Sequence, residues 1–460
     1  MIRLFNHWFG WRTVLQVLFD FSFVLVGMVI AVLWVGAGLP IDLQMVLVYS
    51  VVLAVTVLLL NAWLGFYRRF HNRTVQQTRA RAVLSLYLAV PIAYGLFLLF
   101  PVAEVSREFL QLSAMSAVFG MLVTRVSSEH ATPTQIVVRR ILVFGAGAKA
   151  LAVRKALIKS DPTALIVGFY PSPIEEEVKV PGDQVLPRSR SLTETAQRLK
   201  VDEIVVAVTE RRGGVLPLRE LLDCKLSGVR VLDLASHFEQ TLGQIRLDSL
   251  YAGWLIFGDG FRQGFWRTFV KRVFDVVCAT ILLLLAAPVM LVTAIAIALE
   301  SGFPIIYRQE RVGLNGRLFN VIKFRSMRTD AEKDGKPRWA TAGDSRVTSV
   351  GRIIRKLRVD ELPQLLSVLN GDMSLVGPRP ERPFFVDQLT RDIPFYAVRH
   401  SVKPGVTGWA QVRYHYGASV EDSAEKLQYD LYYVKNHTLF LDILVLFETI
   451  GVVLTAKGAQ

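Results

Sequence analysis

Four apolar stretches open the chain, at residues 13–36, 43–66, 82–101 and 109–124. The first three reach about 20 residues, the length a helix needs to cross a ~30 Å hydrocarbon core, and the fourth is shorter. No small-residue cleavage site follows the first stretch, so it reads as an anchor and not as a removable signal. Cations sort into alternate loops. Arg3 and Arg12 precede the first stretch, and the loop after it, GAGLPIDLQ, has no Lys or Arg. Arg68, Arg69, Arg73, Arg79 and Arg81 follow the second stretch, only Arg107 the third, and Arg125, Arg139 and Arg140 the fourth. Cytoplasmic loops retain Lys and Arg, so this pattern predicts a four-helix transmembrane bundle with both ends in the cytoplasm.

The pattern then changes. RRILVFGAG reads as a strand running into glycines, AKALAVRKALIKS as a helix, TALIVGFY as a second strand and DEIVVAVTE as a later one. Strands alternating with helical patterns predict a parallel α/β domain. The turn Gly145-Ala146-Gly147-Ala148-Lys149-Ala150 fits a dinucleotide fingerprint between a strand and a helix. The acidic residue expected some twenty positions on is absent, and no Tyr-x-x-x-Lys pair follows. The prediction is therefore a degenerate Rossmann-like domain.

The next apolar stretch, residues 273–300, is long enough to span a bilayer. Lys271 and Arg272 flank one end, and Arg308, Arg311, Arg317 and Lys323 follow the other. A crossing would place that basic region outside, against the charge rule. Pro288 lies mid-stretch, where it removes a helical hydrogen bond. A helix that enters, bends at Ala287-Pro288 and returns to the same face resolves the conflict, a plain kinked fifth span being the alternative. The tail LFLDILVLFETIGVVLTAKG is apolar at helical spacing, which suits a core helix or one lying at the interface.

Composition sharpens this picture. The 460 residues are 52% hydrophobic yet carry a formal net charge of +14. Lipid plus an anionic partner fits both numbers. Basic residues concentrate at membrane boundaries and around one acidic pair, with no helix-turn-helix or zinc pattern, which argues against nucleic acid. The two cysteines, Cys224 and Cys278, lie in unlike surroundings, so neither a disulfide nor a Cys-based metal site is expected.

Chemistry concentrates in GRIIRKLRVDELPQLLSVLNGDMSLVGPRPERP, residues 351–383. Asp360 and Glu361 are adjacent, with Arg355, Lys356 and Arg358 just upstream. Pro363 favours a first helical turn, placing the carboxylates near a helix N-terminus, where the dipole and nearby cations favour ionisation. An ionised carboxylate can attack phosphorus or ligate Mg²⁺. Such a pair beside arginines is more often a solvated ion-paired face, but its company is unusual. Arg379 is clamped between Pro378 and Pro380, which suits phosphate contact, and Lys323 and Arg325 add cations after a strand-like run. VKPGVTGWAQV supplies turns, a Lys and a Trp. Cations converging on one acidic pair beside a membrane suit phosphoryl transfer.

From Lys271 to Gly451 the chain resembles the bacterial sugar transferases, the monotopic phosphoglycosyl transferases. The matching strings are KRVFD at 271–275, QERVG at 309–313, KFRSM at 323–327, DELPQLLSVLNGDMSLVGPRP at 360–380 and VKPGVTGWAQV at 402–412. With the preceding spans and α/β domain, the chain is similar to the large members, the polyprenyl-phosphate hexose-1-phosphate transferases that prime exopolysaccharide synthesis. The resemblance implies a UDP-sugar donor, an undecaprenyl phosphate acceptor, Mg²⁺ at Asp360 and the diphosphate, and a homodimer among the lipids of the bacterial inner membrane. It also implies that Asp360 is the nucleophile, releasing UMP through an aspartyl-phosphosugar intermediate, with Glu361 assisting. Arg355 and Arg379 fall on phosphate-contact positions, and Arg311, Lys323, Arg325 and Arg358 join the substrate-binding set. Lys271, Arg272 and Asp275 fall on the motif that anchors a re-entrant helix, here bent at Pro288. Many relatives continue GWAQV with Asn-Gly-Arg, whereas Arg413-Tyr414-His415 stands here, so a nucleotide role for Arg413 carries over less directly.

The expected architecture is thus a transmembrane four-helix region at 1–130, a Rossmann-like domain at 131–260, and a re-entrant helix with a compact, mainly helical catalytic domain at 261–460. Two other readings compete. A membrane-anchored NAD(P)-dependent nucleotide-sugar oxidoreductase or epimerase would use the glycine turn, and a non-enzymatic scaffold for polysaccharide assembly would use only the spans and basic surface.

Overall fold

The computed structural model describes residues 2–4, 7–9, 11–35, 43–63, 88, 91, 95, 139–160, 164–173, 177–188, 190–208, 216–250, 252–257, 260–261, 264–329, 344, 346–414 and 419–454. The chain divides into two compact units, residues 1–2 with 8–242 and residues 3–7 with 243–460. Strands β1 (Ile2–Leu4) and β2 (His7–Phe9) form a short two-stranded sheet.

In the first unit, the two leading apolar stretches are helices α1 (Trp11–Val35) and α2 (Leu43–Trp63). They bury Val24, Leu53, Ala54 and Val57 and expose Leu33, Val48, Val51, Val55 and Leu59. Helices apolar on the exposed face as well as the packed one suit a lipid surround. Buried Asp20 accepts a 3.2 Å hydrogen bond from Asn61 Nδ2. The expected spans at 82–101 and 109–124 lie outside the described residues, apart from the helical positions Leu88, Pro91 and Gly95.

Strands β3 (Arg139–Phe144), β4 (Ala164–Tyr170), β5 (Glu203–Val206) and β6 (Arg230–Asp233) form a wholly parallel sheet in the order β4-β3-β5-β6. Side chains alternate across a strand, so β3 sends Ile141 and Val143 to one core and Leu142 and Phe144 to the other. The first core takes Ala150, Val153 and Leu157 from α3 (Ala148–Ser160) and Phe238 from α6 (Leu234–Leu242). The second takes Leu192 and Ala196 from α4 (Leu192–Arg198) and Leu221 and Cys224 from α5 (Leu218–Leu226). Covering both faces explains the continuous apolar stretches at 141–144 of β3 and 204–206 of β5.

The second unit begins with α7 (Ala252–Phe257) and the 37-residue helix α8 (Phe265–Ser301). Among the described residues α8 is the helix long and apolar enough to cross a membrane. Its buried residues are Asp275 and Ala279 toward one end and Thr293 and Ile297 toward the other, with none between. In that middle stretch Leu284 and Leu285 are 70% and 71% exposed. The helix is continuous through Pro288, which has no N–H to offer the Leu284 carbonyl.

Beyond α8 lie the antiparallel hairpin β7 (Ile306–Val312) and β8 (Leu318–Phe324), then α9 (Ser349–Lys356) and α10 (Gln364–Asn370). Strand β9 (Ser374–Val376), helix α11 (Pro383–Asp392) and strand β10 (Gly405–Thr407) follow, β10 pairing parallel to β9. The unit closes with α12 (Trp409–Arg413), α13 (Val420–Asn436) and α14 (Leu439–Leu454). A capping box between Ser419 and Asp422 starts α13. The tail helix α14 buries Leu441, Asp442, Val445 and Glu448 while Ile443 and Ile450 remain exposed, so one face is core.

Both ends of α8 are tied to this second unit. At the first end Lys271 Nζ lies 2.9 Å from Asp275 and 3.0 Å from Asp442, and Arg272 donates to the Val368 and Leu369 carbonyls at the end of α10. Asp275 also accepts from the Leu375 amide at 3.3 Å. At the other end Ile297 packs with Phe324 and Ile354, and Arg325 Nη2 meets the Ser301 and Gly302 carbonyls at 2.8 and 2.6 Å.

Candidate active site

Asp360 and Glu361 sit in a short 3₁₀ turn, Val359–Glu361, between α9 and α10. Arg358 enters that turn with φ 58, a left-handed conformation that reverses the chain after α9. The turn separates the two carboxylates. Glu361 points inward to three cations: its Oε1 lies 2.7 Å from Arg379 Nη2 and 3.5 Å from both Lys323 Nζ and Arg358 Nη1. Oδ1 of Asp360 is buried, with no hydrogen-bond partner among the described residues.

These surroundings pull the two acids apart. Burial, and then the Glu361 charge, push Asp360 up to about 6 against the opposing pull of Lys323, Arg358 and Arg379. Burial alone would raise Glu361 too, but Arg379, Lys323 and Arg358 hold it well below the usual carboxylate range. Burial likewise lowers Lys323 to about 8, with Arg379 and Arg311 adding to the effect. One acid is therefore held in its ionised form by cations, while its neighbour is pushed up to about 6 and has an oxygen without a partner among the described residues. Adjacent carboxylates with divided properties are a hallmark of acid, base and nucleophile assignments.

The arginine loop owes its shape to close backbone approach. A Cβ at Gly377 would overlap the Lys403 carbonyl, because β9 and β10 run side by side there. Arg379 then leaves β9 between prolines, and its carbonyl accepts from Arg399 Nη2 at 2.9 Å. Arg399 is itself buried, with Nε and Nη2 at 3.0 and 2.8 Å from Asp430 Oδ2 and Nη1 donating to Tyr396 Oη at 2.8 Å. Arg311 donates to the Pro380 carbonyl at 3.1 Å and pairs with Glu381 at 3.3 Å, placing a further cation on this loop.

The structure thus brings Asp360, Glu361, Lys323, Arg358, Arg379 and Arg311 into one cluster. Arg355 lies in the last turn of α9, upstream of the dyad, and is one of the cations that lower Asp344. Two predicted substrate contacts are placed elsewhere. Arg325 is buried and engages the C-terminus of α8. Arg413 pairs with Glu448 at 2.7 Å and lies 4.2 Å over the Trp409 ring, on the α12–α14 packing surface. Lys271, Arg272 and Asp275 gather at the first end of α8, and Pro288 sits in its exposed middle.

Sequence reasoning passed over the Arg399–Asp430 pair and Asp442. Asp442 did leave a signal: with Glu448 it is one of two acids inside an apolar helix, and a buried acid ordinarily needs a partner. Arg399 and Asp430, 31 positions apart, left none.

Among the described residues no group of three or more His, Cys, Asp or Glu could hold a metal by itself. The Asp360 carboxylate, whose buried Oδ1 has no hydrogen-bond partner among the described residues, nevertheless fits Mg²⁺, which commonly takes one or two carboxylates and completes its shell with substrate phosphates and water.

Residues 266–456 match the sequence profile of the bacterial sugar transferases. A UDP-N-acetylgalactosamine-undecaprenyl-phosphate N-acetylgalactosaminephosphotransferase of Aeromonas hydrophila is 46% identical over 242 residues, 53% of this chain and 56% of that protein. A UDP-glucose:undecaprenyl-phosphate glucose-1-phosphate transferase of Caulobacter vibrioides is 45% identical over 192 residues, 41% of this chain and 71% of the relative. One of that same name from Xanthomonas campestris pv. campestris is 29% identical over 406 residues, 83% of each chain. The match spans little more than half the length of the Aeromonas protein and 36% of an undecaprenyl-phosphate glucose phosphotransferase of Komagataeibacter xylinus. The dyad, the arginine loop and the anchored apolar helix all fall within the matched region, and the chain belongs to the bacterial sugar transferase family.

Proposed function

We propose that this protein transfers a hexose-1-phosphate from a UDP-sugar to undecaprenyl phosphate at the cytoplasmic face of the bacterial inner membrane. The observation that carries the reading is the divided dyad: Glu361 is held by three cations while the buried Oδ1 of Asp360 is unengaged. Asp360 is then free to attack, and the charge it attacks is met by cations already in place.

In this reading the Asp360 carboxylate attacks the β-phosphorus of the UDP-sugar. The bridging bond to the α-phosphate breaks, and UMP departs with the bridging oxygen. The resulting phosphosugar–aspartyl ester is attacked at phosphorus by the lipid phosphate, which expels Asp360 and yields the lipid-diphosphate sugar. Lys323, Arg358, Arg379 and Arg311 neutralise the diphosphate and the developing charge, as phosphoryl transfer requires. Glu361 keeps Lys323, Arg358 and Arg379 oriented around the nucleophile. When bound, Mg²⁺ would draw on Asp360 and the diphosphate oxygens and supply charge neutralisation.

We further propose that α8 is re-entrant. Its two ends make polar contacts with the same unit, and its apolar middle around Pro288 is exposed. A helix crossing a ~30 Å core would separate its ends onto opposite faces. Together with α1, α2 and the apolar stretches that follow, α8 makes the protein a multi-pass membrane enzyme of the exopolysaccharide-priming class, acting as a homodimer. Release of UMP from UDP-sugars, dependent on lipid acceptor and on Asp360, tests the proposal.

A further inference from the structure

The three cations around Glu361 fix one side of the dyad, but Asp360 is held by backbone. Its turn follows directly on α9, whose last residue, Lys356, lies only four positions upstream. Where α9 sits therefore decides where Asp360 points.

The N-terminus of α9 is held largely from outside. The first amides of a helix lack intrahelical partners. Here the Gly351 amide donates to Thr348 Oγ1 at 2.9 Å, the usual local cap. The Ser349 and Val350 amides donate instead to Glu300, at 2.7 Å to Oε1 and 3.1 Å to Oε2. Glu300 belongs to the last turn of α8, 49 residues earlier. A carboxylate there also complements the helix dipole.

The surrounding packing joins the same parts. Ile297, one turn before Glu300, forms a buried cluster with Phe324 and Ile354, against which Val359 packs beside Asp360. Arg325 closes the end of α8, and the Ser326 carbonyl accepts from the Thr348 amide at 3.1 Å. A Cβ at Gly351 would collide with that same Ser326 carbonyl, so α9 rests directly on the strand end that also supplies Lys323. The run from Lys323 to Ser326 thus touches the dyad, the membrane helix and α9 in turn.

From this junction we infer that Glu300 is a positioning residue: it fastens α9 to the membrane-embedded helix and thereby sets the placement of Asp360. Its consequence for turnover rests on the transfer reading above; its consequence for backbone order does not.

The test compares full-length wild type, Glu300→Ala and Glu300→Gln in nanodiscs. Amide hydrogen exchange in Glu300→Ala is expected to quicken at Ser349 and Val350 and also at Glu361 and Leu362, whose amides close the dyad turn. Exchange in β9 is expected to stay unchanged. Glu300→Gln, which keeps an acceptor, should fall between the two. In the same samples Glu300→Ala should lower kcat for UMP release about five- to tenfold, with KM for the UDP-sugar within about twofold, the split expected of a residue that acts on the geometry of the transition state and not on ground-state binding. Unchanged exchange at Ser349 and Val350 would overturn the contact. Faster exchange there with an undisturbed Glu361–Leu362 turn, or with undiminished kcat, would overturn the positioning role. A wild type that releases no UMP would instead count against the transferase reading, and the exchange pattern would still decide the role of Glu300.

Discussion

Arg379 Nη2 lies 2.7 Å from Glu361 Oε1, and this contact divides the labour between two adjacent acids. With Lys323 and Arg358 close behind, Glu361 is ionised and neutralised, and it lends its charge to raising its neighbour. Asp360 keeps an oxygen with no partner among the described residues, beside cations that suit the proposed diphosphate donor.

The two titrations bracket a working range. Under the proposed mechanism Asp360, pushed up to about 6, must lose its proton to attack, so kcat/KM should rise as pH increases through about 6. Lys323, lowered to about 8, must keep its proton to meet phosphate, so activity should fall as pH passes about 8. A bell-shaped profile with these two limbs is expected. In Lys323→Arg the alkaline limb should move beyond the accessible range, because Arg does not deprotonate there.

Asp360→Asn should abolish transfer and leave the protein more stable. The sign follows from the raised pKa. The folded state binds this proton more tightly than the unfolded chain does, so stability falls as pH rises from the ordinary Asp range, about 4, to about 6. At neutral pH the charged form is therefore a cost that the neutral amide removes. Thermal melting at pH 7 should show a higher midpoint, at roughly 2–4 °C per kcal/mol recovered. The gain should vanish near pH 4, where wild-type Asp360 is itself protonated.

Arg399→Ala should damage the site without touching substrate. It removes the donor to the Arg379 carbonyl and leaves Asp430 buried and unpaired. Breaking a buried pair on one side costs about 3–5 kcal/mol. Chemical denaturation should register that loss, and Arg399→Lys should recover only part of it because an ammonium cannot reproduce the fork.

Chelation should silence the enzyme reversibly. With no group of three or more metal-ligating side chains among the described residues, the proposed Mg²⁺ site would depend on the substrate diphosphate for part of its shell. EDTA should abolish UMP release, Mg²⁺ should restore it, and the apparent affinity for metal should tighten with UDP-sugar concentration.

Much of the site was legible in the sequence because its chemistry is local. Asp360, Glu361 and Arg358 occupy one turn, and the paired prolines around Arg379 announce a loop built to present a cation. The parallel sheet was legible for a similar reason: with both faces covered, β3 and β5 could only be continuous apolar runs. Arg325 and Arg413 were harder. A cation in a phosphate-rich motif looks the same whether it meets a ligand or a helix end. Only the fold reveals that Arg325 faces the Ser301 carbonyl and Arg413 faces Glu448. The Arg399–Asp430 and Glu300–Ser349 contacts join positions far apart in the chain, and no local pattern encodes such a pairing.

The most direct measurement is UMP release by the purified protein from a panel of UDP-sugars, with and without undecaprenyl phosphate and Mg²⁺, beside Asp360→Asn. Sustained UMP release that requires lipid, metal and the intact Asp360 carboxylate is the predicted result. Undiminished UMP release from Asp360→Asn would contradict it.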